Sequence, residues 1–418
     1  MALTHNTITP IPSDGPNTLT TLWNSRYQEI DANFAYLENE IAAAQLGDSS
    51  LCNTIGTMAR KLNNVSRTLN SVGTRFVQIV GIVCTATGGG AGTWQRIDAN
   101  YRAINTTGET FNKHPTYAGV IDETIDGQAM VRVPLFYMKT GTVPRGDYVG
   151  KRYWMVSDLP VPGFSVHPAF MHAGVEIDQY WVGKYQGTAD GDNKLGSVAN
   201  VLPLQSSNDP PVNRLVLFED MRALANARNT AGVTGFCMWN IYQLAAIQTL
   251  ALIEMGGSDS QSLIGQGHVS SPTTLVTDHE TVKRAAWRGI EGLWGNLGQM
   301  IDGLKTNADA QYMIWDKNGN QTYESTSKTA PANGYPVQMA TDSAERYDLG
   351  LVFVAGATNL AYDQGTYGDY FKQAPNSVTY YGGSRESVSG NHVGLFSLEI
   401  NWHAEYGHSH IGSRLAKV

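Results

Sequence analysis

WRGIEGLWGNLGQMIDG, residues 287–303, sets Trp287 and Trp294 among closely spaced glycines. Glycine permits tight turns and close backbone approach, and large rings belong where burial is greatest, so the pattern suits close turns around buried tryptophans. It reads as core, with a binding role as the alternative. Working outward, FEDMRALANAR (218–228) and MWNIYQLAAIQTLALIEM (238–255) carry helical periodicity. In the second, Trp239, Tyr242, Ala245, Ile247 and Leu250 supply much of an apolar stripe. GQAMVRVPLFYMK (127–139) and QYWVGKYQG (179–187) alternate like strands. QYMIWDKNGNQTYES (311–325) is a hairpin signal, since Asn318-Gly319 suits a type I′ turn. HIGSRLAKV (410–418) is the last strand candidate. The sum is α+β with long loops.

The chain has 418 residues, enough for two or three domains and a sizeable core. With 16% charged residues and a net charge of −8, it has no basic stripe, which argues against nucleic acid and an anionic membrane surface as partners. No apolar run is long enough to cross a bilayer, so no membrane insertion is expected. MALTHNTITPIPSDG at the N-terminus lacks the regions of a secretory signal, and a soluble protein made inside a cell is expected. Cys52, Cys84 and Cys237 lie far apart without CxxC spacing, which disfavours a disulfide framework or a thiolate zinc site. Abundant glycine, tyrosine and tryptophan describe a loop-rich fold with amphipathic aromatics, a mix that also suits a binding surface.

Residues 21–76 have a different texture. Tyr27, Ile30, Phe34, Leu37 and Ile41 alternate spacings of three and four, and Leu51, Ile55, Met58, Leu62, Val65, Leu69, Val72 and Phe76 resume the register. One heptad seam through both runs predicts a coiled coil, with a helical hairpin packed on its own domain as the alternative. The core-position residues favour a trimer or higher bundle over a dimer, and a fully helical stalk would run roughly 75–80 Å. TATGGGAGT (85–93) reads as a glycine-rich joint ending it. The expected organisation is an attachment segment at 1–20, a helical trimerisation region at 21–84, the joint at 85–93 and one domain at 94–418.

The ordered blocks MVRVPLFYMK, GFSVHPAF, DQYWVGKYQG, MWNIYQLAAIQTLALIEMGGSDSQ, WRGIEGLWGNLGQMIDG, GLFSLE and HIGSRL resemble the C-terminal domains of phage tail-fibre and receptor-binding proteins. Those domains have a C-type-lectin fold, similar to the major tropism determinant and distantly to formylglycine-generating enzymes. The resemblance spans residues 92–418. It implies a C-type-lectin-like domain that touches a bacterial surface protein, pilus or glycan. It also implies a homotrimer joined through its N-terminal region to a phage tail or baseplate protein, in a virion assembled in the host cytoplasm. It assigns Gly382, Gly383, Gly394, Phe396, Ile411, Gly412 and Leu415 to a fixed frame. Between them, Ser384, Arg385, Glu386, Asn391, His392, Asn401, His403, Glu405, Tyr406 and His408 would face the receptor. Trp402 joins them as a ring able to stack on a sugar or an apolar patch.

The same resemblance argues against catalysis, because the reactive cysteines of the formylglycine-generating relatives have no counterpart after Cys237. Cys237, in GFCMWN, reads as a small buried hydrophobe, and no catalytic residue is assigned. A polysaccharide depolymerase would need a carboxylate pair in a cleft, and among Glu176, Asp178, Glu254, Asp259, Glu291 and Asp302 no pair stands out. Asp259 and Asp302 read as turn or helix caps. DKNGN (316–320) starts like a calcium loop, but its glycine sits at position four and Ser327 stands at position twelve, so a hairpin turn is preferred. In NWHAEYGHSH (401–410), alternation puts His403 and Glu405 on one face and His408 with His410 on one face. The HxH pair is a candidate site for a divalent metal ion, although no cofactor is required. A structural baseplate or decoration protein that docks through the same domain is the remaining alternative.

Overall fold

The second half of the 287–303 stretch is the strand Gly298–Thr306, buried along almost its whole length. The computed structural model that shows this describes residues 78–418, apart from 192, 208–213, 270 and 384–392. That strand lies inside a seven-stranded sheet. Gln311–Trp315 and then Tyr323–Thr329 lie on one side of it, and Val378–Tyr381, Leu398–Trp402 and Phe371–Gln373 on the other, while Ile411–Gly412 pairs with it in parallel. A five-stranded sheet runs Phe236–Met238, Leu415–Lys417, Gln179–Gly183, Gln128–Pro134, Ile121–Ile125. Another runs Thr93–Ile97, Ile79–Ala86, Arg152–Ser157, Tyr137–Thr142, Ser165–Val166. One continuous apolar core takes in residues from all three sheets and the helix Ile241–Met255.

The tryptophan stretch does what its glycines predict. Trp287 and Trp294 are buried. Gly289, Gly292 and Gly295 have φ of +86°, +59° and +73°, so the chain turns three times around the two rings. Those turns aim carbonyls inward, and Arg414 collects them. Its guanidinium, fully buried, donates to the carbonyls of Gly183, Lys184, Glu291 and Gly292 and to Gln299 Oε1 at 2.8–3.1 Å. It also lies over the Trp239 ring, 5.3 Å from the centroid. Burial lowers the Arg414 pKa to about 9, and no carboxylate hydrogen-bonds to it among the described residues.

Three expectations need correction. The α+β fold class, with a helical coiled-coil stalk leading to a C-type-lectin-like domain, does not describe this structure: strands predominate, and no long helical stalk exists among the described residues. The heptad positions at 21–76 lie outside the described residues. Ile79–Ala86, expected to close the helical region, is a strand paired with Thr93–Ile97 and Arg152–Ser157, because IVGIVCTA is β-branched and apolar on both faces. The 85–93 glycines accordingly form the bend of a β-hairpin inside the domain, with Gly88, Gly89, Gly90 and Gly92 at positive φ.

The second correction concerns Ile241–Met255. An apolar stripe was expected, yet every residue from Ile241 to Ile253 is buried. A helix buried all round lies inside the core, and its polar Gln243, Gln248 and Thr249 are enclosed with the apolar residues. Asn240 caps its N-terminus through Tyr242 and Gln243, and Gly256 ends it at φ +74°. Third, the 311–325 hairpin forms, but its loop spans 316–322 rather than a two-residue type I′ turn. Asp316 organises it: the buried carboxylate accepts from the Asn318 amide N–H, Asn318 Nδ2 and Asn320 Nδ2, each at 2.9 Å. Burial works against ionisation there, but the amide donors and Arg346 hold the carboxyl below its usual range. Helix Phe218–Asn226 forms as its periodicity predicts.

His114 and His167, each followed by proline, cap short helical turns by accepting Thr116 and Ala169 N–H through Nδ1. Burial lowers their pKa values, to about 4 for His114 and about 3 for His167. A depressed histidine pKa means the unfolded chain binds more protons, so stability is complete above pH ~6.5 and declines as pH falls toward the folded values. The loss from His114 alone is roughly 3 kcal/mol. Glu291, Asp348 and Asp369, raised by burial, act in the opposite sense. Comparing wild type with His167→Asn, which keeps a capping acceptor, isolates the effect. Urea titrations between pH 4 and 7 should show the variant with the shallower slope, by about one proton; parallel slopes would contradict the assignment.

Candidate functional site

The strand Leu398–Trp402 pairs antiparallel with Val378–Tyr381 and parallel with Phe371–Gln373, and delivers Trp402 to the sheet end opposite Val378. There the chain turns, with Tyr406 N–H donating to His403 O at 3.0 Å, and the Tyr406 ring folds back onto Trp402. The two rings stack at 4.0 Å with 10° between planes. His408 lies 6.2 Å beyond Tyr406 at 18°, and His410 follows at 3.8 Å and 35°. Trp402, Tyr406, His408 and His410 thus form a continuous series of rings.

The series is held from behind. Trp402, Ala404 and Tyr406 are half-buried against the main core, whereas His403 and Glu405 are exposed. Ala404 O accepts Phe218 N–H, and His410 O accepts Gly298 N–H at 2.8 Å, which ties the loop to the central strand. A side chain at Gly407 would lie 2.5 Å from the Leu215 side chain and 2.8 Å from Ser206 O, so only glycine fits against the Ser206 backbone there. His403 Nδ1 lies 3.1 Å from Asn376 O. The Asn401 Oδ1 and His408 Nδ1 atoms are buried with no hydrogen-bond partner among the described residues.

Of the expected contact residues, Asn401, Trp402, His403, Glu405, Tyr406 and His408 therefore share this one loop. Ser384, Arg385, Glu386, Asn391 and His392 lie outside the described residues. The base of their segment is near, because a Cβ built on Gly298 would be 3.7 Å from His410 O and 3.9 Å from the Gly383 carbonyl carbon. The frame positions are closed: Phe396, Ile411 and Leu415 are buried, and Gly382 and Gly383 have φ of +79° and +56°. A Cβ at Gly394 would meet the Asp369 carboxylate, and one at Gly412 would meet Leu204 O at 2.7 Å.

His408 and His410 do fall on one side, but ring against ring. A metal lies in the imidazole plane, on the nitrogen lone pair, so two rings in face contact do not converge their lone pairs on one ion. Among the described residues, no group of three or more His, Cys, Asp or Glu side chains is placed to hold a metal ion.

The remaining candidates resolve individually. Cys237 is packed at the edge of the core, and burial pushes its thiol up to about 12. Asp259 caps a helical turn by accepting Ser262 N–H at 3.1 Å, as expected. Asp302 caps no helix: it is buried in the central strand, accepts Gly303 N–H at 2.8 Å and forms a bidentate pair with Arg222 at 2.7 and 2.8 Å. Glu254 is likewise bidentate with Arg288 and accepts from the Trp287 indole N–H.

Two buried residues carry no signal in the sequence, one beside the loop and one under Gly394. Tyr380 is buried in the adjacent strand, its hydroxyl has no hydrogen-bond partner among the described residues, and burial, with Tyr406 and Glu405 nearby, raises its pKa. Asp369 is buried under Gly394, accepts Phe396 N–H at 2.7 Å, and has its pKa raised by burial and then by Asp259. Neither has a local motif, since each takes its environment from a distant strand. No helix among the described residues is long and apolar enough to cross a membrane. Neither a protein-family model nor a curated protein sequence matches the chain.

Proposed function

We propose that this chain is a bacteriophage tail receptor-binding protein that attaches non-covalently to a bacterial surface structure through the 401–410 loop and the adjoining 384–392 segment. The observation that supports this is the ring series from Trp402 to His410, held against the core on one side with His403 and Glu405 exposed beside it. Rings already stacked lose little entropy on binding and offer large contact area, while histidine, glutamate and asparagine supply adaptable hydrogen bonds. The resemblance of the ordered sequence blocks to tail-fibre proteins supports the tail as its location in the virion. The receptor belongs to the class of surface protein, pilus or glycan.

Replacing Arg385, Asn401, His403 and Tyr406 together by alanine should weaken binding of fluorescently labelled protein to susceptible cells by about a hundredfold or more, with the thermal unfolding profile retained. Undiminished cell binding would sink the site. Free wild-type protein should also compete with the virion for adsorption.

A further inference from the structure

The sheet that contains Thr93–Ile97 carries, apart from the main core, a second and smaller apolar cluster that includes Ile97, Tyr101, Val143 and Tyr153. A cation is built into it. Lys139 Nζ donates to the Tyr101 hydroxyl at 3.3 Å and lies 5.8 Å from the Tyr101 ring centroid and 6.0 Å from that of Phe164. Among the described residues no carboxylate forms an ion pair with Lys139, with Arg102 next to Tyr101, or with Arg145 and Lys151 in the connection that follows the Lys139 strand. Two acids in the same turns offset only part of this charge. Asp98 accepts the Asn100 and Arg102 amide N–H groups at 2.8 and 2.9 Å, and Asp147 is exposed. In a chain of net charge −8, the result is a local positive excess.

The turn that presents Tyr101 is strained. Tyr101 stands at φ +64°, a conformation that bulky residues rarely adopt, and its N–H donates to Asp98 O at 3.0 Å. Its hydroxyl oxygen accepts from Lys139 and from Tyr153. Its own proton therefore has no acceptor among the described residues, and neither have two of the three Lys139 N–H groups. Burial opposes ionisation of Tyr101, but the hydrogen bonds from Tyr153 and Lys139, with the charges of Lys139 and Arg145, outweigh it and hold the phenol below its usual range. A phenol shifted in this sense sits in positive potential. Unused donors and positive potential at one point both suit an anion.

We propose that Lys139, Arg145 and the Tyr101 hydroxyl bind a phosphate group. An ammonium, a guanidinium and a hydroxyl offer donors to separate oxygens, which matches the several strong acceptors of a phosphate. The rings of Tyr101 and Phe164 keep water from part of the Lys139 ammonium, and a less hydrated charge attracts an anion more strongly. The site lies on a different sheet from the ring series and does not depend on the 401–410 loop.

The full chain would be titrated at low ionic strength with inorganic phosphate, methyl phosphate and dimethyl phosphate by phosphorus NMR, with acetate as competitor. Inorganic phosphate should saturate in the millimolar range, and acetate at equal concentration should not displace it. The two esters separate the sources: tighter binding of the monoester marks a small phosphate ester, tighter binding of the diester marks a phosphate-linked polymer, and either upholds the site. Lys139→Met, which keeps the stem against both rings, should weaken binding by about tenfold. Arg145→Ser, at an exposed position, should weaken it by about threefold with the thermal unfolding profile retained. Lys283→Gln, which removes the same charge from an exposed position on another element, should bind as wild type does. The proposal is overturned if phosphate does not saturate by about 50 mM, if the Lys139 and Arg145 variants bind as wild type does, if Lys283→Gln weakens binding as much as they do, or if acetate competes equally.

Discussion

Arg414→Met should lower the unfolding free energy by roughly 3–5 kcal/mol, the largest effect expected from any single substitution discussed. Methionine matches the length of the side chain, so little cavity forms and the loss is one of hydrogen bonding. The carbonyls of Gly183, Lys184, Glu291 and Gly292 all face the guanidinium, in an interior that water does not reach. Each carbonyl left without a donor costs on the order of 1–3 kcal/mol, part of which relaxation recovers. Arg414→Lys should recover only part, since an ammonium has three donors and cannot span the fork. The measurement is the urea midpoint at unchanged m-value. A loss below about 1 kcal/mol would mean that Arg414 does not hold these turns together.

Gly295→Ala should cost roughly 2–4 kcal/mol, and Gly127→Ala only about 1. The two glycines have nearly the same φ, +73° and +72°. They differ in surroundings: a Cβ at Gly295 would lie 2.6 Å from His268 O, whereas nothing lies within 4 Å of one at Gly127. Gly127 therefore reports the cost of the left-handed backbone alone. The excess at Gly295 reports the clash with backbone that cannot swing aside, because Asn296 N–H is bonded to that same His268 carbonyl at 2.7 Å. Equal losses in the two variants, read by thermal or urea unfolding, would contradict the steric account.

These residues also show what was legible beforehand. Turns around Trp287 and Trp294 could be expected because glycine spacing is local information, and so could the helices at 218 and 241. The destination of the second helix was less clear, since an apolar stripe leaves room for a solvent-facing side, whereas Gln243, Gln248 and Thr249 are polar yet buried within the fold. Gln248 Nε2 is satisfied by Leu395 O and Thr249 Oγ1 by Ala245 O. The strand Ile79–Ala86 was misassigned because a heptad register extrapolates easily into β-branched apolar residues.

The 401–410 loop was located from its composition and position, but its geometry was not. Strand alternation treats His408 and His410 as neighbours on a face, whereas the turn at His403–Tyr406 brings the rings into a series that includes Trp402. That turn depends on Gly407 passing Leu215, a contact between residues almost two hundred positions apart. The ion pair of Asp302 with Arg222 was hidden for the same reason, and so was the burial of Asp369.

Hydrogen–deuterium exchange of the full chain, alone and saturated with surface material from cells that it binds, tests the proposed function most directly. The account predicts slowed exchange in 401–410 and in 384–392, with the core strands unchanged. Protection confined to other surfaces, with 401–410 exchanging as in the free protein, would contradict it.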